Sequence, residues 1–191
     1  IYSFLEKAMN NNDKKQLAQC FSVLIENALC QPQVTMHRDF HSRNLMLVTD
    51  KSTNQTKIGV IDFQDAVYGP ITYDIVSLLR DCYFRWPDSL IAPLFNEFCL
   101  KMSAINTEFA KQPEQWQRWF DLMGLQRHVK ASGIFARLFL RDDKAGYLKD
   151  IPLTLSYLVD ISAKYNELTF LSEFVSQRVL PALTAKNKTG S

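Results

Sequence analysis

The chain has no C-x-x-C pair, no block of five or six basic residues and no apolar run of membrane-spanning length. Each absence removes a class. Its four cysteines, Cys20, Cys30, Cys82 and Cys99, lie scattered among helix-like apolar residues. That pattern speaks for buried thiols in a reducing compartment, not for a zinc site or a disulfide framework. Lys and Arg are dispersed and the net charge is only +2, so no electrostatic footprint for nucleic acid is present. Without ~18 consecutive apolar residues there is no spanning helix to place. No signal peptide is recognisable, and a cytoplasmic protein with no membrane partner is expected.

What is there suits a globular core. The 191 residues are 47% hydrophobic and 12% aromatic, with 22% charged, enough for one domain or one large lobe. Leu17, Cys20, Phe21, Leu24, Ile25 and Ala28 follow the spacing of one helix face, with Asp13 as N-cap and Pro32 beyond the end. The period then changes. Val34-Thr35-Met36 reads as extended. Leu45-Met46-Leu47-Val48 and Ile58-Gly59-Val60-Ile61 are short apolar runs flanking a polar turn segment, Thr49 to Thr56. They predict an antiparallel β-ribbon buried on both faces. From Thr72 onward helices are predicted near 72–84, 88–104, 114–131, 152–164 and 167–179, with Asp88 as an N-cap and Pro152 in a first turn. Residues 1–185 are expected to form the ordered lobe, and 186–191 a polar, frayed tail. The fold class is α+β, mostly helical.

The chemistry concentrates in His37-Arg38-Asp39-Phe40-His41-Ser42-Arg43-Asn44, a D-x-x-x-x-N loop between extended segments, followed 18 residues after Asn44 by Asp62. If Val48 pairs with Ile58, the same register sets Asn44 opposite Asp62, within ~4.5–5.5 Å between Cα atoms. An amide oxygen and a carboxylate then converge on one point, the partial oxygen shell that Mg²⁺ takes with phosphates and water. Asp39, at the other end of the loop, is placed to accept the proton of an attacking hydroxyl. This is the known arrangement of phosphoryl transfer from ATP. Singly, Asp and Asn are ordinary turn residues; jointly, in this context, they point to a site.

His37 has two readings. With Asp39 and His41 it forms H-x-D-x-H, a possible metal cluster, although such sites recruit further ligands and the only other histidine is His128. Alternatively it hydrogen-bonds the loop backbone, the preferred reading. Asp65 and Arg43 are candidate acceptor contacts, Arg43 toward a phosphate or an acidic sugar. The bland alternative for both is a solvated surface residue. Trp86, Trp116 and Trp119 are expected to pack in the core or on the lobe surface, and Met102 and Met123 are core candidates. Arg127, Lys130, Arg137 and Arg141 make a loose basic set.

Val34 to Met46 and Val60 to Asp81 together resemble the aminoglycoside phosphotransferase and choline kinase superfamily, whose fold is protein-kinase-like. More narrowly they resemble its bacterial branch of anomeric sugar kinases, which act on N-acetylmuramic acid and N-acetylglucosamine in peptidoglycan recycling. Gly133 to Leu138, Arg141-Asp142 and Tyr147 to Pro152 are similar to that branch too. The resemblance implies Asp39 as catalytic base, Asn44 and Asp62 as magnesium ligands, and ATP as donor. It implies His41 on the substrate side, where protein kinases have a lysine, and Asp74 as a structural tether between its helix and the loop. No Gly-rich phosphate loop or V-A-I-K-like strand occurs, and only 36 residues precede His37. The chain is therefore expected to be the C-terminal lobe alone, inactive by itself, with the N-terminal nucleotide-binding lobe of the same protein as its missing partner.

Three functions compete. The first is an amino-sugar 1-kinase with a small-molecule sugar acceptor. The second is an aminoglycoside- or choline-type kinase, which would want an acidic acceptor pocket. The third, from another class, is a non-catalytic binding domain, against which the intact Asp39, Asn44 and Asp62 argue.

Overall fold

A computed structural model describes residues 9–109, 113–142 and 145–189. The chain divides into two compact units. One holds residues up to 29 together with those from 121 onward; the other holds 30–120. Among the described residues no helix is long and apolar enough to cross a membrane.

The first unit is helical. Helix α1 (Asn11–Leu29) buries Leu17, Cys20, Leu24 and Asn27, a stripe at alternating steps of three and four, while Ile25 stands outside it. Its N-cap is Asn10, not Asp13. Asn10 Oδ1 accepts the Asp13 N–H at 2.9 Å, and the Asp13 carboxylate accepts the Asn10 N–H at 3.0 Å. This is a reciprocal capping box, with Asp taking the position where Glu is usual. Asp13 also pairs with Arg178 at 2.8 Å. Helices α5 (Ile151–Ser162) and α6 (Thr169–Phe174), a π turn (Val175–Val179) and α7 (Leu180–Thr189) also belong to this unit. Helicity continues through the expected tail to Thr189, with Pro181 confined to the first turn of α7 and no Gly or Pro after it before Gly190; residues 190–191 lie outside the described residues. His128, almost fully buried, stacks on Tyr157 at 4.2 Å.

The second unit carries both β-ribbons. Strand β1 (Gln33–Met36) pairs with β4 (Val67–Pro70), and β2 (Leu45–Thr49) pairs with β3 (Thr56–Val60), all antiparallel. The β2–β3 register is Leu45↔Val60 and Val48↔Lys57, one residue away from the expected Val48–Ile58 pairing. Nor is this ribbon buried: Leu47 is 78% and Ile58 67% exposed. A short apolar run signals burial only where another layer covers it, and run length does not say what that layer is. Helices α2 (Tyr73–Leu79) and α3 (Asp88–Ile105) follow, with Pro87, not Asp88, as the cap of α3. The aromatic core runs through Phe95, Phe98, Phe120, Trp116 and Trp119, with ring centroids 4.2–6.3 Å apart. Trp86 is half-buried and donates Nε1–H to the Leu78 carbonyl at 3.2 Å.

Helix α4 (Pro113–Asp142) is longer than the predicted 114–131, since Gly133 does not stop it. It contributes Trp116 and Trp119 to the second unit and the fully buried Leu122, Met123 and Leu125 to the first. Met102 is only half-buried. None of the four cysteines is in a disulfide, but only Cys20 is buried; Cys30 is exposed, a correction to the expectation of buried thiols. Cys30 follows the last turn of α1, beyond the stripe that faces the core.

Candidate active site

The loop 37–44 leaves β1 and enters β2, so each ribbon holds one of its ends. Its first residues are fixed from α2. The Asp74 carboxylate accepts the His37 N–H at 2.6 Å and the Arg38 N–H at 3.0 Å. Arg38 has φ 76°, a left-handed backbone that costs a non-glycine residue energy. The two bonds from Asp74 hold that conformation in place. The Arg38 guanidinium also donates to the Asp65 carbonyl at 3.3 Å.

His37 reaches across to the chain beyond β3. Its Nε2 lies 2.9 Å from the Ile61 carbonyl, so Nε2 must carry the proton there. Among the described residues, no three His, Cys, Asp or Glu side chains converge as a metal group, so H-x-D-x-H does not form a cluster.

Asn44 closes the loop. Its Nδ2 donates to the Asp39 carbonyl at 2.9 Å and to Asp62 Oδ2 at 3.3 Å. Two oxygen partners identify that end of the amide as nitrogen and leave Oδ1 as its acceptor atom. The slipped register puts Ile61, not Asp62, beside Asn44, with the Ile61 N–H donating to the Asn44 carbonyl at 3.1 Å. Asp62 returns to Asn44 through its own backbone, which has φ 67°. Gln64 Nε2 donates to Asp62 Oδ1 at 2.5 Å. The Asp62 carboxylate is thus held by two neutral amides and, among the described residues, forms no salt bridge. Asn44 turns Nδ2 toward Asp62 here, and a rotation of its side chain would bring Oδ1 to the carboxylate, giving an all-oxygen donor set. It fits Mg²⁺, which takes few protein ligands and fills its octahedron with water and phosphate oxygens.

The middle of the loop is a single 3₁₀ turn, Ser42–Asn44. Ser42 Oγ donates to Asp81 Oδ2 at 2.7 Å. The Arg43 guanidinium lies 3.5 Å above the Tyr83 ring, and His41 meets the same ring edge-on at 6.0 Å. Asp39 is half-buried, and Asp65 is exposed. Asp81, Tyr83 and Gln64 escaped the reading from sequence. Gln64 alone carried a usable signal, two residues past Asp62.

The sequence model of the phosphotransferase enzyme family matches residues 6–121. The N-acetylmuramate/N-acetylglucosamine kinase of Neisseria meningitidis serogroup B is 44% identical over 150 residues, covering 78% of this chain and 43% of that protein. The proteins of the same name from Pseudomonas putida and Pseudomonas aeruginosa are each 40% identical, over 155 and 154 residues, covering 81% of this chain and 44% of theirs. The matched segment therefore spans less than half the length of these relatives.

Proposed function

We propose, since the chain belongs to the phosphotransferase enzyme family, that it carries the catalytic loop of an ATP- and Mg²⁺-dependent kinase acting on the anomeric hydroxyl of an amino sugar. The observation that carries this reading is the Asp39–Asn44–Asp62 arrangement in a chain 40–44% identical to three N-acetylmuramate/N-acetylglucosamine kinases. The product would be a sugar 1-phosphate, a cell-wall sugar recovered in the cytoplasm.

Phosphoryl transfer asks the protein to position its reactants and to neutralise charge. Asn44 Oδ1 and the Asp62 carboxylate would hold the metal. When bound, Mg²⁺ offsets phosphate charge and fixes the orientation of the transferred group. Asp39 orients the acceptor hydroxyl and takes its proton late in the transfer. The Asn44 amide, bonded to the Asp39 carbonyl, keeps the base and the metal ligands at one spacing. His41, Arg43 and Asp65 supply contacts to the acceptor, and His37 and Asp74 support the loop.

The test is an acceptor screen of the complete natural protein with N-acetylmuramate, N-acetylglucosamine, choline and an aminoglycoside. Wild type should phosphorylate at least one of the sugars. Asp39→Asn should lower the rate by about 10²–10⁴ while keeping the shape of the loop. Phosphorylation of choline or the aminoglycoside but of neither sugar refutes the substrate. An undiminished Asp39→Asn enzyme refutes the mechanism.

A further inference from the structure

Asp81 is 1% exposed. Burying a carboxylate is costly unless its oxygens find donors. Here Oδ2 accepts from Ser42 Oγ at 2.7 Å and from the Ser42 N–H at 3.4 Å, and Oδ1 accepts from the Tyr83 N–H at 3.0 Å. For packing alone an apolar side chain would serve better, since removing a well-placed buried charge together with its partners is often neutral. A carboxylate is required only where those donors must be held.

The donors lie at a telling place. Ser42 opens the 3₁₀ turn Ser42–Asn44, whose N-cap, His41, makes no side-chain capping bond. The unpaired N–H groups at a helical turn's start need an acceptor, and Asp81 provides one from 39 residues away. Ser42 stands three residues after Asp39 and two before Asn44. The other oxygen fixes the backbone of Tyr83, whose ring carries Arg43 on its face and makes a T-shaped contact with His41. One carboxylate thus anchors the turn that leads to Asn44 and the ring that seats two neighbouring side chains.

We propose that Asp81 is a positioning residue of the transfer reaction: through Ser42 it fixes the turn that places Asn44, and through Tyr83 it fixes His41 and Arg43. The inference rests on the kinase reading given above. In the complete natural protein, Asp81→Asn should lower turnover of the accepted sugar by about 10–100-fold, at a temperature where circular dichroism shows both proteins folded. The ATP KM should stay within about twofold, and the Mg²⁺ concentration for half-maximal rate should rise, because Asn44 loses its anchor. Ser42→Ala, at an exposed position, should give a smaller loss of the same kind. The double variant should be no worse than Asp81→Asn, because both act through one hydrogen-bonded unit. Wild-type turnover in Asp81→Asn, or strictly additive losses, overturns the inference while leaving the kinase reading standing.

Should Asp81→Asn fail to fold, Ser42→Ala decides: an unchanged Mg²⁺ dependence rejects the proposal. Wild type inactive on every acceptor refutes the kinase reading instead. Amide exchange then settles the anchor separately: exchange of residues 40–45 must accelerate in Ser42→Ala with the α2 amides unchanged, and equal exchange in both proteins overturns it.

Discussion

The Asp74 carboxylate accepts the backbone N–H of His37 at 2.6 Å, joining the first turn of α2 to the start of the loop 37–44. Its second oxygen takes the Arg38 N–H at 3.0 Å, where the backbone is left-handed. Asp74→Ala strips both acceptors from a half-buried place and leaves a strained residue unheld. The expected cost is about 1–3 kcal/mol in stability, accompanied by a loss of activity beyond that explained by the unfolded fraction. Urea melts and assays on the same preparations measure both. Unchanged stability would mean that water replaces the carboxylate without penalty.

The metal assignment makes a separate demand. Asp62→Asn keeps the size of the side chain and removes the charge that a cation needs. It should lower turnover steeply at every Mg²⁺ concentration. Asn44→Ala removes one ligand and also the bond to the Asp39 carbonyl, so it should raise the Mg²⁺ requirement by roughly an order of magnitude or more. Titrating rate against Mg²⁺ in both variants separates the effects. Normal turnover at low Mg²⁺ in either one would remove that residue from the metal site.

The loop and the ribbon were legible because apolar runs bracket a polar segment, and the D-x-x-x-x-N spacing is local. The register was not. Leu45–Val48 and Ile58–Ile61 carry no polar side chain on either face, so the two-residue period could not choose between neighbouring alignments. The connection decides instead: Asp50 N–H donates to the Gln55 carbonyl at 2.9 Å, and Asn54 takes φ 53°. Asn44 and Asp62 still meet, because Asp62 turns back at positive φ, which Asp tolerates better than most residues but which its identity alone does not announce. Strand β4 was missed for a related reason. Tyr68-Gly69-Pro70 reads as a turn, and only its partner β1, distant in sequence, makes it a strand. At Gly69 a Cβ would come within 2.6 Å of the Met36 thioether, so any larger residue there requires that flexible side chain to move. Asp81 was illegible because its partner Ser42 is 39 residues away.

The cysteines differ in chemistry as well as in depth. Burial pushes the Cys99 thiol up to about 11, and burial raises that of Cys20 as well. At pH 8 only about one Cys99 in a thousand is thiolate, the form that reacts. Iodoacetamide at that pH should label the exposed Cys30 first and leave Cys20 and Cys99 unmodified until denaturant is added. Peptide mapping by mass spectrometry reads the order. Labelling of Cys99 in the native protein as fast as of Cys30 would contradict the burial that raises its pKa.

Acid should find α1 through its cap. Hydrogen bonding from Arg178, then from the Asn10 N–H, holds the Asp13 carboxyl below its usual value, with the charge of Arg178 adding to the effect. A carboxyl whose folded value is depressed stabilises the fold above its unfolded value, about pH 4, and that stabilisation is lost as pH falls through the folded value. Asp13→Asn removes the titration while keeping an oxygen that can accept the Asn10 N–H. The stability gap between wild type and Asp13→Asn should therefore be constant from about pH 7 down to pH 5 and narrow steadily below pH 4. Arg178→Gln should shrink the same acid-dependent term without touching the capping box, since Asn10 and Asp13 bond each other directly. Urea melts at several pH values measure the gap. A gap that stays constant down to pH 2.5, or widens, would show that the Asp13 charge is not what the Arg178 contact stabilises.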